Sequence, residues 1–218
     1  MTGKLIVFEG LSAAGKNTQV KRLVESLNFG QKKAVYFAFP DYQSPTGQLI
    51  AEYLAGKFGP KENLAQTAAL LYALDRYQDA GKIRSALSEN DFVVLDRYTP
   101  ANLAFQGALV PAEEKQALWD WIDAVEKNLP TPDAIVFLDV PRDVTQQLIQ
   151  NRVDKNPLTA MDIHESDAAF EERVRKNYAE LAQKRNWAVV ECVKKGRLLS
   201  PDEVHALVVG ALRRRGIL

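Results

Sequence analysis

The stretch LIVFEGLSAAGKNTQ, residues 5–19, decides how the chain folds. It opens with Leu5, Ile6, Val7 and Phe8, an apolar run that is short and partly β-branched, which reads as a buried strand. Gly10-Leu11-Ser12-Ala13-Ala14-Gly15-Lys16 follows, with a glycine at each end and a lysine at its close, and helical spacing of apolar residues begins after it. Strand, glycine-bounded loop, lysine and helix make up a phosphate-binding loop. Glycines let backbone N–H groups converge on phosphate oxygens, the helix directs its positive end at them, and the lysine neutralises their charge. Gly10 through Thr18 are therefore read as the binding segment for the phosphates of ATP, with Lys16 on the β- and γ-phosphates.

One position departs from the pattern. Asn17 stands where Ser or Thr normally offers a hydroxyl to magnesium, and Thr18 comes one residue too late. An amide oxygen is still a hard donor, able to ligate Mg2+ directly or through water.

Working outward, further short apolar runs fall at residues 34–37, 92–95, 134–138 and 188–190. Between them, residues 18–27, 47–54, 64–87, 111–128, 144–149 and 167–184 carry apolar side chains at three- and four-residue spacing. Strands alternating with helices predict an α/β fold in three layers, a five-stranded parallel sheet flanked by helices on both faces. The 218 residues, 46% hydrophobic and 26% charged, suffice for one core and are read as one domain. A flap is expected around DKNPLTAMD, residues 154–162, where Pro157 interrupts helical continuity. The Arg213-Arg214-Arg215 run is read as basic residues complementing a helix C-terminus.

Lys plus Arg equals Asp plus Glu at 28 each, so no global field draws the chain to nucleic acid or an anionic membrane. No apolar run reaches membrane-spanning length, and the first one breaks at Glu9, short of a signal sequence. A single Cys192 rules out an internal disulfide, and no Cys/His cluster has zinc spacing. A cytoplasmic protein is expected.

Four ordered blocks together resemble the thymidylate kinase family over most of the chain: FEGLSAAGKNTQ (8–19), FPDYQSPTGQLIAEYLAGKFG (39–59), ALLYALDRYQD (69–79) and VVLDRYTPANLAFQG (93–107). The resemblance implies a P-loop kinase that passes the γ-phosphoryl group of ATP to dTMP, with Mg2+ and as a homodimer formed through helices such as 64–87. It implies that Arg76 reaches the thymine ring and that Arg97 holds the acceptor phosphate. Asp96 and Arg97 follow a buried strand, at the carboxyl edge of the sheet where open α/β folds bind ligands. Asp96 then accepts a hydrogen bond from the acceptor or orients a magnesium-bound water; Asn17 and Asp96 are the candidate metal ligands. Ser12, Phe39, Pro40, Tyr42, Tyr98 and Gln106 complete the acceptor set, with Leu74, Tyr77 and Phe105 as further candidates, because a flat base needs stacking area and a few directed hydrogen bonds.

The family's lid corresponds to residues of about 150–166. Family members carry a catalytic arginine in the loop or the lid; this loop has none, leaving Arg152 and Lys155 as the lid cations. Ser12 replaces the family's acidic residue at the acceptor sugar. A lone His164 near a helix start reads as a cap or surface residue. The alternatives are a kinase for another deoxynucleotide or deoxynucleoside, or a nucleotide-binding homologue with weakened catalysis.

Overall fold

The computed structural model describes residues 3–155 and 161–218. Residues 156–160, the middle of the expected flap, lie outside the described residues. Strands β1 (Lys4–Glu9), β2 (Ala34–Ala38), β3 (Phe92–Asp96), β4 (Ala134–Asp139) and β5 (Ala188–Glu191) form one parallel sheet in the order β2-β3-β1-β4-β5. The predicted strands are thus found in place, each within a residue or two. A small antiparallel hairpin, β6 (Val193–Lys194) with β7 (Arg197–Leu198), was not foreseen; its strands have two residues each, too few for any pattern.

Alternation across the pleat assigns each strand residue to a layer. Ile6, Phe8, Val94, Val136 and Leu138 face α1 (Lys16–Phe29) and α8 (Pro201–Arg214), where Val20, Leu23, Val204, Val208 and Leu212 are buried against them. Leu5, Val7, Val93 and Leu95 point the other way, toward α3 (Ala65–Glu89). Phe137 meets the helices α4 (Thr99–Gln106), α5 (Ala112–Glu126) and α7 (Ala168–Lys184) on that same side. Both faces are covered, which is why the strands read as continuous apolar runs.

Helix α4 escaped the sequence reading. Pro100 sits at its start, and Ala101, Asn102, Leu103, Ala104 and Gln106 are all buried. A helix buried nearly all round shows no apolar stripe to recognise.

The remaining helices are α2 (Pro45–Leu54) and α6 (Arg142–Lys155). The loop between β2 and α2 is tied down by Asp75, a fully buried carboxylate of α3. Asp75 Oδ1 accepts from Thr46 Oγ1 at 2.9 Å, and its Oδ2 accepts from the Asp41 N–H at 3.1 Å. Ser44 caps α2, its hydroxyl accepting from the Gly47 N–H at 2.9 Å. Gly47 has no alternative here, because a Cβ would lie 1.8 Å from the Asp41 carbonyl oxygen.

Replacing Asp75 with alanine strands these buried donors, so Asp75→Ala should lower stability by roughly 2–3 kcal/mol in urea unfolding. A change below about 0.5 kcal/mol would mean that the loop is held by something else.

Candidate functional site

The phosphate loop closes β1. Gly10 has φ 147°, and a Cβ there would come within 2.7 Å of the Leu138 carbonyl oxygen, so only glycine passes the neighbouring strand. Helix α1 starts at Lys16 with no side-chain cap and no acid in its first turn. Its N-terminal N–H groups and dipole are left for an anion.

Lys16 is buried and folds back over the loop, donating to Leu11 O at 2.7 Å and Gly10 O at 3.2 Å. Burial, reinforced by the nearby Arg97, pushes its pKa down to about 7, against the pull of Asp96 and Glu9. Asn17, Thr18, Asp96 and Arg152 line the same cleft beside it. The two proposed metal ligands, Asn17 and Asp96, therefore share one cavity with the lysine.

Arg97 lies at the turn out of β3 in the left-handed conformation, φ 64°. That is uncommon for a residue with a Cβ and is held by surrounding bonds. Its N–H donates to Phe8 O at 3.0 Å, its Nη1 to Gly10 O at 3.0 Å and to the Tyr178 hydroxyl at 3.2 Å, and its guanidinium lies 5.0 Å over the Phe105 ring. Beneath it is Glu9, with no exposed surface, accepting from the Tyr98 N–H and from the Tyr178 hydroxyl, both at 2.8 Å. Burial raises the Glu9 pKa, with Arg97 and these two bonds working against the rise. Glu9 and Tyr178, which hold Arg97 in place, are residues that the sequence did not single out. The only signal was a carboxylate ending an otherwise apolar strand.

A second cavity opens on the other side of Arg97. Ser12, Phe39, Pro40, Tyr42 and Arg97 line both it and the cleft that holds Lys16, so the two meet along these residues, the arginine among them. At its far end lie Arg76, Asn102 and Gln106. Arg76 is buried and donates from Nη1 to Glu126 Oε1 at 2.5 Å, not to Asp79 on its own helix. Among the described residues, Arg76 Nε and Gln106 Oε1 have no hydrogen-bond partner. Asn102 was missed because α4 was missed; it stands one helical turn before Gln106 on the same face.

Several candidates are placed elsewhere. The Tyr98 ring packs in the core against Phe39, at 5.9 Å between centroids, and lines neither cavity. Its contribution is the backbone N–H on Glu9. Tyr77 donates to Val125 O at 2.7 Å, and Leu74 stands half-exposed on α3. Lys155 is exposed at the end of α6 and lines neither cavity, whereas Arg152 reaches the donor cleft. Arg152 makes a two-pronged pair with Glu165, Nη2 to Oε2 at 2.7 Å and Nη1 to Oε1 at 3.3 Å.

His164 is neither cap nor surface residue. It is buried between Phe105 and Phe170, its Nε2 3.0 Å from the Tyr53 hydroxyl. Burial, with Lys61 and Arg97 nearby, pushes its pKa down to about 3, so it stays neutral at physiological pH. Among the described residues no cluster of three His, Cys, Asp or Glu side chains could hold a metal. No described helix is long and apolar enough to cross a membrane.

A parallel sheet, a glycine-bounded loop entering a helix, and a lysine-arginine cleft at the carboxyl edge place the chain among the P-loop nucleotide-binding α/β proteins. A family model described as thymidylate kinase matches residues 8–200, and the chain belongs to that family. It is 33% identical to a thymidylate kinase of Mycobacterium tuberculosis over 211 residues, covering 92% of this chain and 99% of that one. The human thymidylate kinase is 30% identical over 213 residues, covering 97% and 92%. A solved thymidylate kinase from Candida albicans superimposes with a TM-score of 0.75 at 25% identity, covering 99% of this chain and 93% of that one.

The depressed Lys16 pKa yields a pH prediction. In the free protein the lysine loses its proton above about pH 7, whereas phosphates placed beside it favour the charged form. The bound state then holds more protons than the free one between pH 7 and the ordinary lysine range, so affinity for ATP should fall as pH rises through that window. Calorimetry at pH 8 in buffers of different ionisation enthalpy should show uptake of about one proton per ATP, absent in Lys16→Met. Equal uptake in both forms would assign the proton to another group.

Proposed function

We propose that the chain transfers the γ-phosphoryl group of ATP to dTMP, giving dTDP. The observation that carries this reading is the position of Arg97, where donor cleft and second cavity meet. In-line phosphoryl transfer needs the acceptor oxygen held against the donor phosphate and the charge of both neutralised, with little covalent work for the protein. A guanidinium at the junction does both for an acceptor phosphate, since its planar fork matches phosphate oxygens. An acceptor without a phosphate would leave that fork unused.

On the donor side Lys16 and the α1 N-terminus hold the phosphates, and Arg152 supplies the lid cation. Magnesium would supply positive charge against the donor phosphates. Asn17 and Asp96 suit it, an amide and a carboxylate offering hard oxygens in one cleft, and would hold it directly or through water. On the acceptor side the pairing of a buried donor, Arg76, with a buried acceptor, Gln106 Oε1, matches a pyrimidine that presents a ring carbonyl beside a ring N–H. Thymine has that order, and cytosine reverses it. Phe39, Tyr42 and Phe105 provide ring surface along the cavity.

The reading extends to assembly and setting. Leu70 and Leu74 are about half exposed, one turn apart on α3, and support a homodimer through that helix. The buried free Cys192 fits the reducing cytoplasm, where the nucleotide substrates are found.

Steady-state kinetics on a panel of acceptors with ATP tests the proposal. Arg97→Ala should raise the KM for dTMP and lower kcat by roughly a hundredfold or more, with the KM for ATP nearly unchanged. If only the ATP parameters moved, Arg97 would belong to the donor. Asn17→Thr should restore the usual hydroxyl and lower the magnesium concentration needed for half-maximal rate; an unchanged requirement would show that the side chain at this position does not serve the metal, and a raised one that the amide serves it better than a hydroxyl.

A further inference from the structure

Glu126 sits at the last position of α5, fifty residues along the chain from Arg76, yet the two side chains are 2% and 4% exposed and 2.5 Å apart. It does not line the acceptor cavity; it lines a separate surface concavity behind Arg76, with Leu129 and Asp133. Its carboxyl is pushed above its ordinary pKa by burial, with the Arg76 charge and hydrogen bond, and a hydrogen bond from Asn102, opposing that rise.

Stability alone is a poor explanation for such a pair. Removing two charges from water costs several kcal/mol, and apolar replacements of similar size are often as stable or more so. The contact between α3 and α5 has apolar neighbours with which to do that job. What the carboxylate does is fix one corner of the guanidinium: Nη1 is spoken for, the Tyr72 ring lies 5.9 Å from the guanidinium carbon, and Nε, itself buried, has no partner among the described residues, on a side chain that lines the cavity. An arginine side chain has several rotatable bonds and would otherwise share its donors among orientations.

We propose that Glu126 is a positioning residue for base selection: by holding Arg76 from behind, it aims the remaining N–H donors at a pyrimidine carbonyl and makes an amino group at that place unfavourable. The proposal rests on the assignment of Arg76 to the acceptor base. A fixed donor rejects an amino group because two donors are then forced together in a dry site, and a donor free to swing away loses that discrimination.

The test uses the full chain with ATP and either dTMP or dCMP. Glu126→Gln keeps the volume and a hydrogen-bond acceptor but removes the charge. It should raise the KM for dTMP about tenfold with kcat within a factor of two, and cut the preference for dTMP over dCMP about tenfold. The KM for ATP should hold steady, read at a temperature where both forms are fully folded, since removing one charge of a buried pair lowers the thermal midpoint in either case. In an Arg76→Met background the same substitution should have no further effect on acceptor KM or preference, because Glu126 acts through the arginine, and a further effect there would show a route through Asn102 and overturn the proposal. Unchanged dTMP KM and preference in Glu126→Gln, with Arg76→Met raising the KM, would overturn the proposal and leave the acceptor assignment standing. If Arg76→Met itself left the KM unchanged, the assignment of Arg76 would fall first. A loss spread equally over ATP and dTMP parameters would make Glu126 a structural residue and likewise overturn the proposal.

Discussion

The carboxylate of Glu9, at the end of the central strand and without exposed surface, is the point on which the site is assembled. A buried charge is unfavourable unless it is paired and hydrogen-bonded, and here three chain segments meet that need. The register Phe8↔Asp96 carries Glu9 level with Arg97. The left-handed turn at Arg97 then frees the Tyr98 N–H for one carboxylate oxygen, while Tyr178 from α7 reaches the other. Shifting the β1–β3 pairing by one residue would turn Glu9 to the opposite face and leave Arg97 without Tyr178. The strain at Arg97 and the burial of Glu9 thus support one another, and the guanidinium at the junction of the cavities is fixed by both backbone and side chain.

The acceptor cavity depends on a second set of fastenings, made on the side of α3. Asp75 holds the segment after β2 that carries Phe39, Pro40 and Tyr42. The segment leading into α7 is held from across the cavity: Lys61 donates to Ile163 O at 2.7 Å and pairs with Asp167 at 3.0 Å, and Tyr53 meets His164. Because Asp167 is itself the cap of α7, the same ion pair sets the start of the helix that delivers Tyr178.

The strands were legible because the three central ones, β1, β3 and β4, are buried on both faces and even the edge strands β2 and β5 are apolar in sequence, so five short apolar runs stood out between helical stretches. The loop and Asp96-Arg97 were legible because their chemistry is local in sequence. The residues that were missed owe their roles to distance. Glu126 gives no sign along α5 that Arg76 lies beside it, and Glu9 looks like the end of a strand until Tyr178, 169 residues later, donates to it. His164 was misread because burial among aromatic rings from three other segments cannot be seen from its neighbours. Tyr98 was misassigned because a tyrosine after an arginine at a strand end can point to either side of the sheet, and here the turn sends its ring into the core.

The cations around the donor cleft have partners before any phosphate enters: Lys16, Arg97 and Arg152 stand among Glu9, Asp96 and Glu165. Triphosphate binding must therefore exchange partners as well as add them. Lys16 gives up only two carbonyl oxygens, neutral acceptors that solvent or the loop can satisfy, so its exchange costs little. Arg152 is different, since its partner Glu165 is 5% exposed and would be left as a buried unpaired carboxylate if the arginine moved fully onto the phosphates.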